Sequence, residues 1–310
     1  MGLTDWQSDI AAAAARIGGH VRRTPVLSAA PSGLDRPVAL KLEQMQHTGS
    51  FKARGAFNTL LAAPEVPEAG VVAASGGNHG AAVAHAAAAL GHPAHIFVPA
   101  IAGPAKIALI RGTGAELSVV DGAYADAAAR AAVWRARTGA MEIHAYDAPD
   151  TVAGQGTCMA EWEDQGLDAD TVLIAVGGGG LIAGALGWLG DRRRVVPVEP
   201  ASACALHAAM DAGRPVDVEV SGIAANALGA RRIGTICLGL AQAQGVAPVL
   251  VDDAAIAGAQ ALLWRELRQL VEPAGATALA ALLSGAYRPD RGERVAALVC
   301  GGNVAPDPLG

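Results

Sequence analysis

Apolar and polar positions fall in blocks along the chain. Val71 to Ala74, Ala94 to Val98 and Leu117 to Val120 are apolar runs of strand length. Each is followed by a longer stretch with helical spacing: Asn78 to Leu90, Pro104 to Arg111 and Ala123 to Arg137. A further strand is expected over Glu142 to His144. This alternation predicts a small parallel α/β unit. A second α/β set follows, with strands near Val172, Val195, Val249 and Ala296 and helices near Val152 to Trp162, Ser202 to Ala212, Ile256 to Leu270 and Thr277 to Tyr287. Ahead of both lie a helix from Asp5 to Ile17, an extended lead-in from Arg23 to Leu27, and a strand from Val38 to Glu43. That strand runs into a helix of about Phe51 to Leu61, after which Pro64 and Pro67 mark a break. The pattern predicts an α/β protein of two lobes with a cleft between them.

One stretch interrupts the order. Thr171 to Leu189 carries no charge and is long enough to cross a bilayer. The four glycines Gly177 to Gly180 argue against a span. They divide the stretch into a buried strand, a loop and a helix from Leu181, the order of an anion-binding turn. Composition agrees with a compact soluble protein: 310 residues, 52% hydrophobic and 17% charged, enough for about two domains. A formal net charge of −6 offers no general attraction to nucleic acid or anionic membrane. Cys158, Cys204, Cys237 and Cys300 are far apart and lack metal-ligand spacing, so buried thiols in a reducing, cytoplasmic compartment are expected and no zinc site is. The first residues have neither the basic nor the apolar region of a secretion signal.

Candidate chemistry centres on Lys52. The chain has three lysines, Lys41, Lys52 and Lys106, among 23 basic residues, so lysine stands where arginine would not serve. A lysine in the first turn of a helix is disfavoured as a cation by the helix dipole. A neutral amine there attacks carbonyls, either of a substrate or of pyridoxal phosphate; a surface lysine on an amphipathic helix is the plain alternative. In α/β folds ligands sit beyond the carboxyl ends of strands, and three loops hold that position. The first, Ser75 to Gly80, offers amides, a hydroxyl and Asn78 at a helix start, suited to a carboxylate or phenolate, or serving simply as a capped turn. The second, Gly177 to Gly180, lets several amides approach one phosphate, although it matches no Walker spacing. The third, Cys300-Gly301-Gly302-Asn303, sets a thiol at a strand end, where it either meets a ring nitrogen or is simply buried.

Together these features resemble the serine/threonine dehydratase group of fold-type II pyridoxal phosphate enzymes, which includes threonine deaminases, serine dehydratases and serine racemases. The likeness covers nearly the whole chain. It runs through Arg23-Thr24-Pro25, Thr48 to Ala56, Ser75 to His79, Ala153-Gly154-Gln155-Gly156-Thr157, Gly177 to Gly184, Glu199-Pro200, Glu272 to Gly275 and Gly301-Gly302-Asn303. The resemblance implies two open twisted α/β domains of the tryptophan synthase beta type, with the cofactor in the cleft between them. Residues 1–65 and 148–310 would form the large domain and residues 66–147 the small one. It implies that Lys52 holds pyridoxal 5'-phosphate, that Phe51 packs on its ring and that Asn78 meets its ring hydroxyl. Gly177, Gly178, Gly179, Gly180 and Leu181 would bind its phosphate, Cys300 would face the pyridine nitrogen, and Gly222 and Glu272 would border the cofactor. Ser75, Gly77, Asn78 and His79 would take the substrate carboxylate. A neutral partner at the ring nitrogen does not stabilise a pyridinium, which favours prompt loss of a β leaving group. The reaction implied is conversion of a 3-hydroxy L-amino acid, threonine or serine, to a 2-oxo acid and ammonia, in a homodimer without the regulatory domain of the allosteric members. Alternatives are threo-3-hydroxyaspartate ammonia-lyase, serine racemase, β-replacement, and a pyridoxal phosphate protein without turnover.

Departures from the group bear on these alternatives. Racemising members carry a second serine, the opposite-face acid/base, where this chain has Gly76. Metal-dependent members hold a divalent cation at positions matching Glu199, Ala203 and Ala205; without a carboxylate at 205 no metal is expected. Ser221 stands where Asp usually precedes Gly222. Arg231 and Arg232 read either as a solvated pair or as attraction for an acidic substrate.

Overall fold

The computed structural model describes residues 5–102, 104–122 and 124–304. Two separate sheets organise them. The larger has six strands: β1 (Val26–Ala29), β2 (Val38–Leu42), β7 (Thr171–Ala175), β8 (Arg194–Pro200), β9 (Val249–Val251) and β10 (Val295–Val299), in the order β1-β2-β10-β7-β8-β9. The smaller has four: β3 (Val71–Ala74), β4 (Ala94–Pro99), β5 (Glu116–Val120) and β6 (Met141–Glu142), in the order β5-β4-β3-β6. All pairings are parallel except β1 with β2, so the expected lead-in is an antiparallel edge strand. Central strands such as β7 and β10 are buried along their whole length, because helices cover both faces of a parallel sheet.

Helix limits shift by a few residues from the sequence pattern, for local reasons. The helix expected over Thr277 to Tyr287 is Pro273–Leu283, opened by a proline in its first turn, where no amide partner is needed. That expected over Ile256 to Leu270 is Asp253–Leu267, capped by the Asp252 side chain on the Ala255 amide. The strand expected over Glu142 to His144 is shortened to Met141–Glu142, and Ala123 lies outside the described residues. Helices Ala225–Leu228 and Thr235–Gln244 have no counterpart in the expectations. Among the described residues, no helix is long and apolar enough to cross a membrane.

The helix carrying Lys52, Lys52–Ala62, follows β2 of the large sheet, yet Ala53, Ala56, Phe57 and Leu60 belong to the apolar core of the small sheet. It lies flush against helix Pro149–Asp164. A Cβ on Gly154 would come within 2.7 Å of the Arg54 carbonyl and the Gly55 Cα, so glycine is required for the approach. A buried ionic cluster ties the same helices together. Arg54 donates through Nε to Glu43 Oε2 (2.8 Å) and through Nη2 to Glu43 Oε1 (2.8 Å) and Glu161 Oε2 (3.0 Å). Lys41 pairs with Glu161 and donates to the Thr24 carbonyl (2.9 Å) and Gln165 Oε1 (2.6 Å). Burial raises the Glu43 carboxyl, but the charge and hydrogen bonds of Arg54 outweigh it and hold the group ionised.

Candidate active site

β2 and β10 are parallel neighbours, so their carboxyl ends deliver the lysine segment and Cys300 side by side. The turn after β2 reverses through Thr48 (φ 58°) and Gly49 (φ 74°). It is pinned to the end of β10, with Phe51 N donating to the Cys300 carbonyl (3.2 Å) and Gly302 N to the Gly49 carbonyl (2.9 Å). Lys52 then opens its helix. Its Nζ donates to the Ala145 carbonyl (2.8 Å) and lies 5.1 Å from the Phe51 ring centroid. Burial lowers its amine to about 8, a stronger ground for a neutral nucleophile than the helix dipole alone, which acts in the same direction.

The glycine loop leaves the end of β7. Gly179, with φ 97°, caps helix Gly180–Leu189, a left-handed conformation that glycine adopts without strain. Ala183 N makes the first bond of the helix, to the Gly179 carbonyl (2.9 Å), so the amides of residues 180–182 precede the ladder. These residues line a cavity together with Phe51, Lys52, Asn78, Ala175, residues 177–179, Ala227, Leu228, Glu272, Ala274 and Cys300. A Cβ on Gly178 would lie 2.2 Å from the Tyr146 ring, which packs over the loop. Asn78 Nδ2 donates to Glu272 Oε1 at the cavity wall. Cys300 Sγ donates to the Ala274 carbonyl (3.3 Å), and burial pushes its thiol well above the ordinary value, so it is neutral at neutral pH.

The expected residues are not all brought together. Phe51, Lys52, Asn78, residues 177–181, Glu272 and Cys300 border the cavity; Ser75, Gly77, His79 and Gly222 are not part of its wall. Ser75 Oγ accepts from the Gly77 amide (3.2 Å). His79 is buried with Nε2 donating to the Ile143 carbonyl (2.8 Å), and burial, with the Lys52 charge nearby, lowers it to about 3. Gly222, with φ 83°, packs against Ser202 and Asp253. A Cβ on Gly76 would point at Ala102 (2.3 Å) and Val98 (2.9 Å). Glu199 accepts from the amides of Leu206 and His207 (both 2.8 Å), and burial raises its carboxyl to about 7. Among the described residues, no group of three or more His, Cys, Asp or Glu side chains is arranged to hold a metal. Arg232 donates to Asp217 Oδ1 (2.6 Å) and both residues are largely exposed, which answers to the solvated reading. The wall also contains Ala175, Ala227 and Leu228, small or aliphatic residues that nothing in the sequence marked, and Ile182 and Ala274, which fall within the motifs at 177–184 and 272–275.

This set fits pyridoxal phosphate. Three helix amides ahead of the ladder suit a phosphate, glycines leave its approach open, an amine near neutrality suits an aldehyde, and a neutral thiol suits a pyridine nitrogen. Comparison with known proteins agrees. The family model described as pyridoxal-phosphate dependent enzyme matches residues 17–301. The chain is 36% identical over 305 residues to the phenylserine dehydratase of Ralstonia pickettii, spanning 96% of this chain and 93% of that protein. It superposes on maize serine racemase with a TM-score of 0.90 at 32% identity, covering 97% and 94% of the two chains. For the threonine deaminase of T.th. the TM-score is 0.88 at 35% identity, covering 97% and 99%. With a shared fold, a matching family model over most of its length and a cavity built for the cofactor, the chain belongs to the pyridoxal-phosphate dependent enzymes.

Proposed function

We propose that the chain is a threonine/serine ammonia-lyase that converts a 3-hydroxy L-amino acid to a 2-oxo acid and ammonia. The observation that carries the reading is the pairing, across one cavity, of the Lys52 amine lowered to about 8 with the protonated Cys300 thiol. Bound there, pyridoxal phosphate supplies an electron sink for the substrate α-carbon. Lys52 Nζ would hold the cofactor, and its amine, lowered to about 8, is the base within the cavity that would take the proton from the substrate Cα. The amides of residues 177–182 would bind the phosphate, Phe51 would pack on the ring, and Asn78 Nδ2 would donate to the ring hydroxyl. Cys300 would face the ring nitrogen as a neutral partner, which would leave that nitrogen unprotonated and favour elimination of the β-hydroxyl, lost as water, over racemisation. The loop from Ser75, which meets the cavity wall at Asn78, would take the substrate carboxylate through the amides that open helix Asn78–Ala89.

Dehydration is favoured over racemisation because Gly76 has no acid/base, and the direction of its missing side chain leads to Val98 and Ala102. Neutral substrates are favoured over 3-hydroxyaspartate because, among the described lining residues, Lys52 is the one cation. The partition of the strands between two sheets supports a large domain of residues 1–65 and 148–310 and a small one of residues 66–147. A homodimer and a cytoplasmic location, where four free thiols stay reduced, complete the reading.

The test is direct. The purified enzyme, loaded with pyridoxal phosphate, is incubated with L-threonine, L-serine, phenylserine and 3-hydroxyaspartate, and ammonia and 2-oxo acid are assayed. Product from at least one neutral substrate is expected. Borohydride reduction and peptide mapping should find the pyridoxyl group on Lys52. Failure with every 3-hydroxy amino acid, or a label on Lys41, would overturn the reading.

A further inference from the structure

Asn303 takes no part in the chemistry above, yet it joins three segments of the site. Its Nδ2 donates both to the Thr48 carbonyl (2.7 Å), in the turn before the lysine helix, and to Asn78 Oδ1 (2.9 Å), at the start of helix Asn78–Ala89. The turn is shaped around it: a Cβ on Gly49 would lie 2.4 Å from Asn303 Oδ1. Thr48 is one of only two non-glycine residues with positive φ among the described residues, and its carbonyl is the one Asn303 holds.

A carboxamide has a donor end and an acceptor end, and its partners decide which way round it lies. The Thr48 carbonyl can only accept, so Asn303 must turn its NH2 toward it. That same NH2 reaches Asn78, so Asn78 must answer with its carbonyl oxygen. The NH2 of Asn78 is thereby directed to the side of Glu272, whose Oε1 it meets.

We propose that Asn303 is a positioning residue that sets the polarity of the Asn78 carboxamide, presenting its NH2, and not its carbonyl, to the ring oxygen of bound pyridoxal phosphate. This rests on the assignment of Asn78 to the ring hydroxyl made above. One hydrogen of Asn78 Nδ2 serves Glu272 and the second serves the ring oxygen. A donor at that oxygen favours its ionised form, and an acceptor favours its protonated form. The charge state of the ring oxygen changes the absorption of the cofactor, so the effect is readable without turnover.

Asn303→Asp is the sharpest variant, since it keeps the shape and removes the donors. The carboxylate cannot serve the Thr48 carbonyl, and it competes with Glu272 and the ring oxygen for the Asn78 NH2, which draws the donor away from the ring. The loaded variant should move absorption and circular dichroism from the ionised-oxygen band toward the shorter-wavelength neutral-oxygen band across the pH range. Cofactor Kd should rise about tenfold, the scale of one buried hydrogen bond lost. Asn303→Ala, which frees Asn78 without competing for its NH2, should show a partial shift. A purely structural Asn303 would lower the melting temperature and leave the spectrum in place; a folded Asn303→Asp enzyme with the wild-type spectrum overturns the proposal. If that variant fails to fold, Asn303→Ala decides in the same way. A wild-type enzyme that takes no cofactor on Lys52 would overturn the site reading itself, and this inference with it.

Discussion

Lys41 and Lys52 lie on one short segment and live in opposite surroundings. Lys41 is fully buried, and its ammonium meets the Glu161 carboxylate, the Thr24 carbonyl and the Gln165 side chain. With Arg54, Glu43 and Glu161 it forms a cluster of two positive and two negative groups. Lys52 has a single neutral acceptor, the Ala145 carbonyl, and no ion pair among the described contacts. A buried amine whose one hydrogen-bond acceptor is neutral loses its proton more easily than an exposed one. The first arrangement serves the fold and the second serves chemistry. Lysine scarcity singled out both residues, the helix start and the motif pointed to Lys52, and their partners show why the two differ.

The contrast is broken most sharply by exchanging the fates of the two lysines. Lys52→Ala should lower kcat by at least about 10³-fold, the scale of a lost proton-transfer group, while urea denaturation of the apo chain shows an intact fold. Lys41→Met should do the reverse. It leaves Glu161 without its closest cation, and a broken buried pair costs about 3–5 kcal/mol. A Lys41→Met chain as stable as the wild type would show that the cluster does not hold the fold.

Next in size is the pH response. The folded amine of Lys52 sits at about 8, below its ordinary value of 10.5. Capture of pyridoxal phosphate by the apo chain should therefore accelerate with pH and reach half its maximum near pH 8, followed by stopped-flow absorbance. For stability the sign follows from proton counts. Between about 8 and 10.5 the unfolded chain binds more protons at this residue, so the Lys52 contribution to apo stability improves as pH rises through that window. A capture rate that is flat across pH 7–9 would place the neutral amine elsewhere.

Gly76 tests the site from its rim. Gly76→Ser meets Ala102 and Val98, so it should cost about 1–3 kcal/mol through overpacking. Chiral chromatography should find D-serine forming far more slowly than pyruvate. Racemisation matching elimination in this variant would mean that the β4 end yields and turns the hydroxyl toward substrate. The smallest effect concerns Glu199, which, like the Lys41 cluster, has its hydrogen bonds met within the fold, by the amides of Leu206 and His207. Activity should change less than about twofold with EDTA or added Mg2+, because a cation there would have few oxygen ligands and one carboxylate. Loss of most activity on chelation, restored by Mg2+ or Ca2+, would refute this.

Several parts of the site were legible because their causes are local. The lysine at a helix start, the glycine loop between a strand and a helix, and a cysteine at a strand end each follow from spacing within a few residues. The motif at residues 153–157 was legible as a motif but not in its role: Gly154 lets the lysine helix lie against its neighbour, a packing task visible only once both helices are in place. His79 looked like a member of the anion loop, but its ring turns to the Ile143 carbonyl on another segment. Ala227 and Leu228 carried no signal, because a small or aliphatic residue acquires meaning at a cavity wall only from what faces it, and Tyr146 carried none because its packing over the glycine loop joins distant segments.

The sequence by itself determined the α/β alternation, the parallel strands and the positions where an amine, a phosphate loop and a thiol would stand at strand ends. Hydrophobic period and backbone permissiveness are properties of neighbouring residues and survive without the rest of the chain. Only the tertiary structure decided which lysine is ion-paired and which is not, which glycines serve packing, and which loop residues face the cavity. Those outcomes depend on desolvation and on partners far along the chain. The Thr48–Asn303–Asn78–Glu272 series spans 255 positions between Thr48 and Asn303 alone, and no local pattern encodes a contact of that reach.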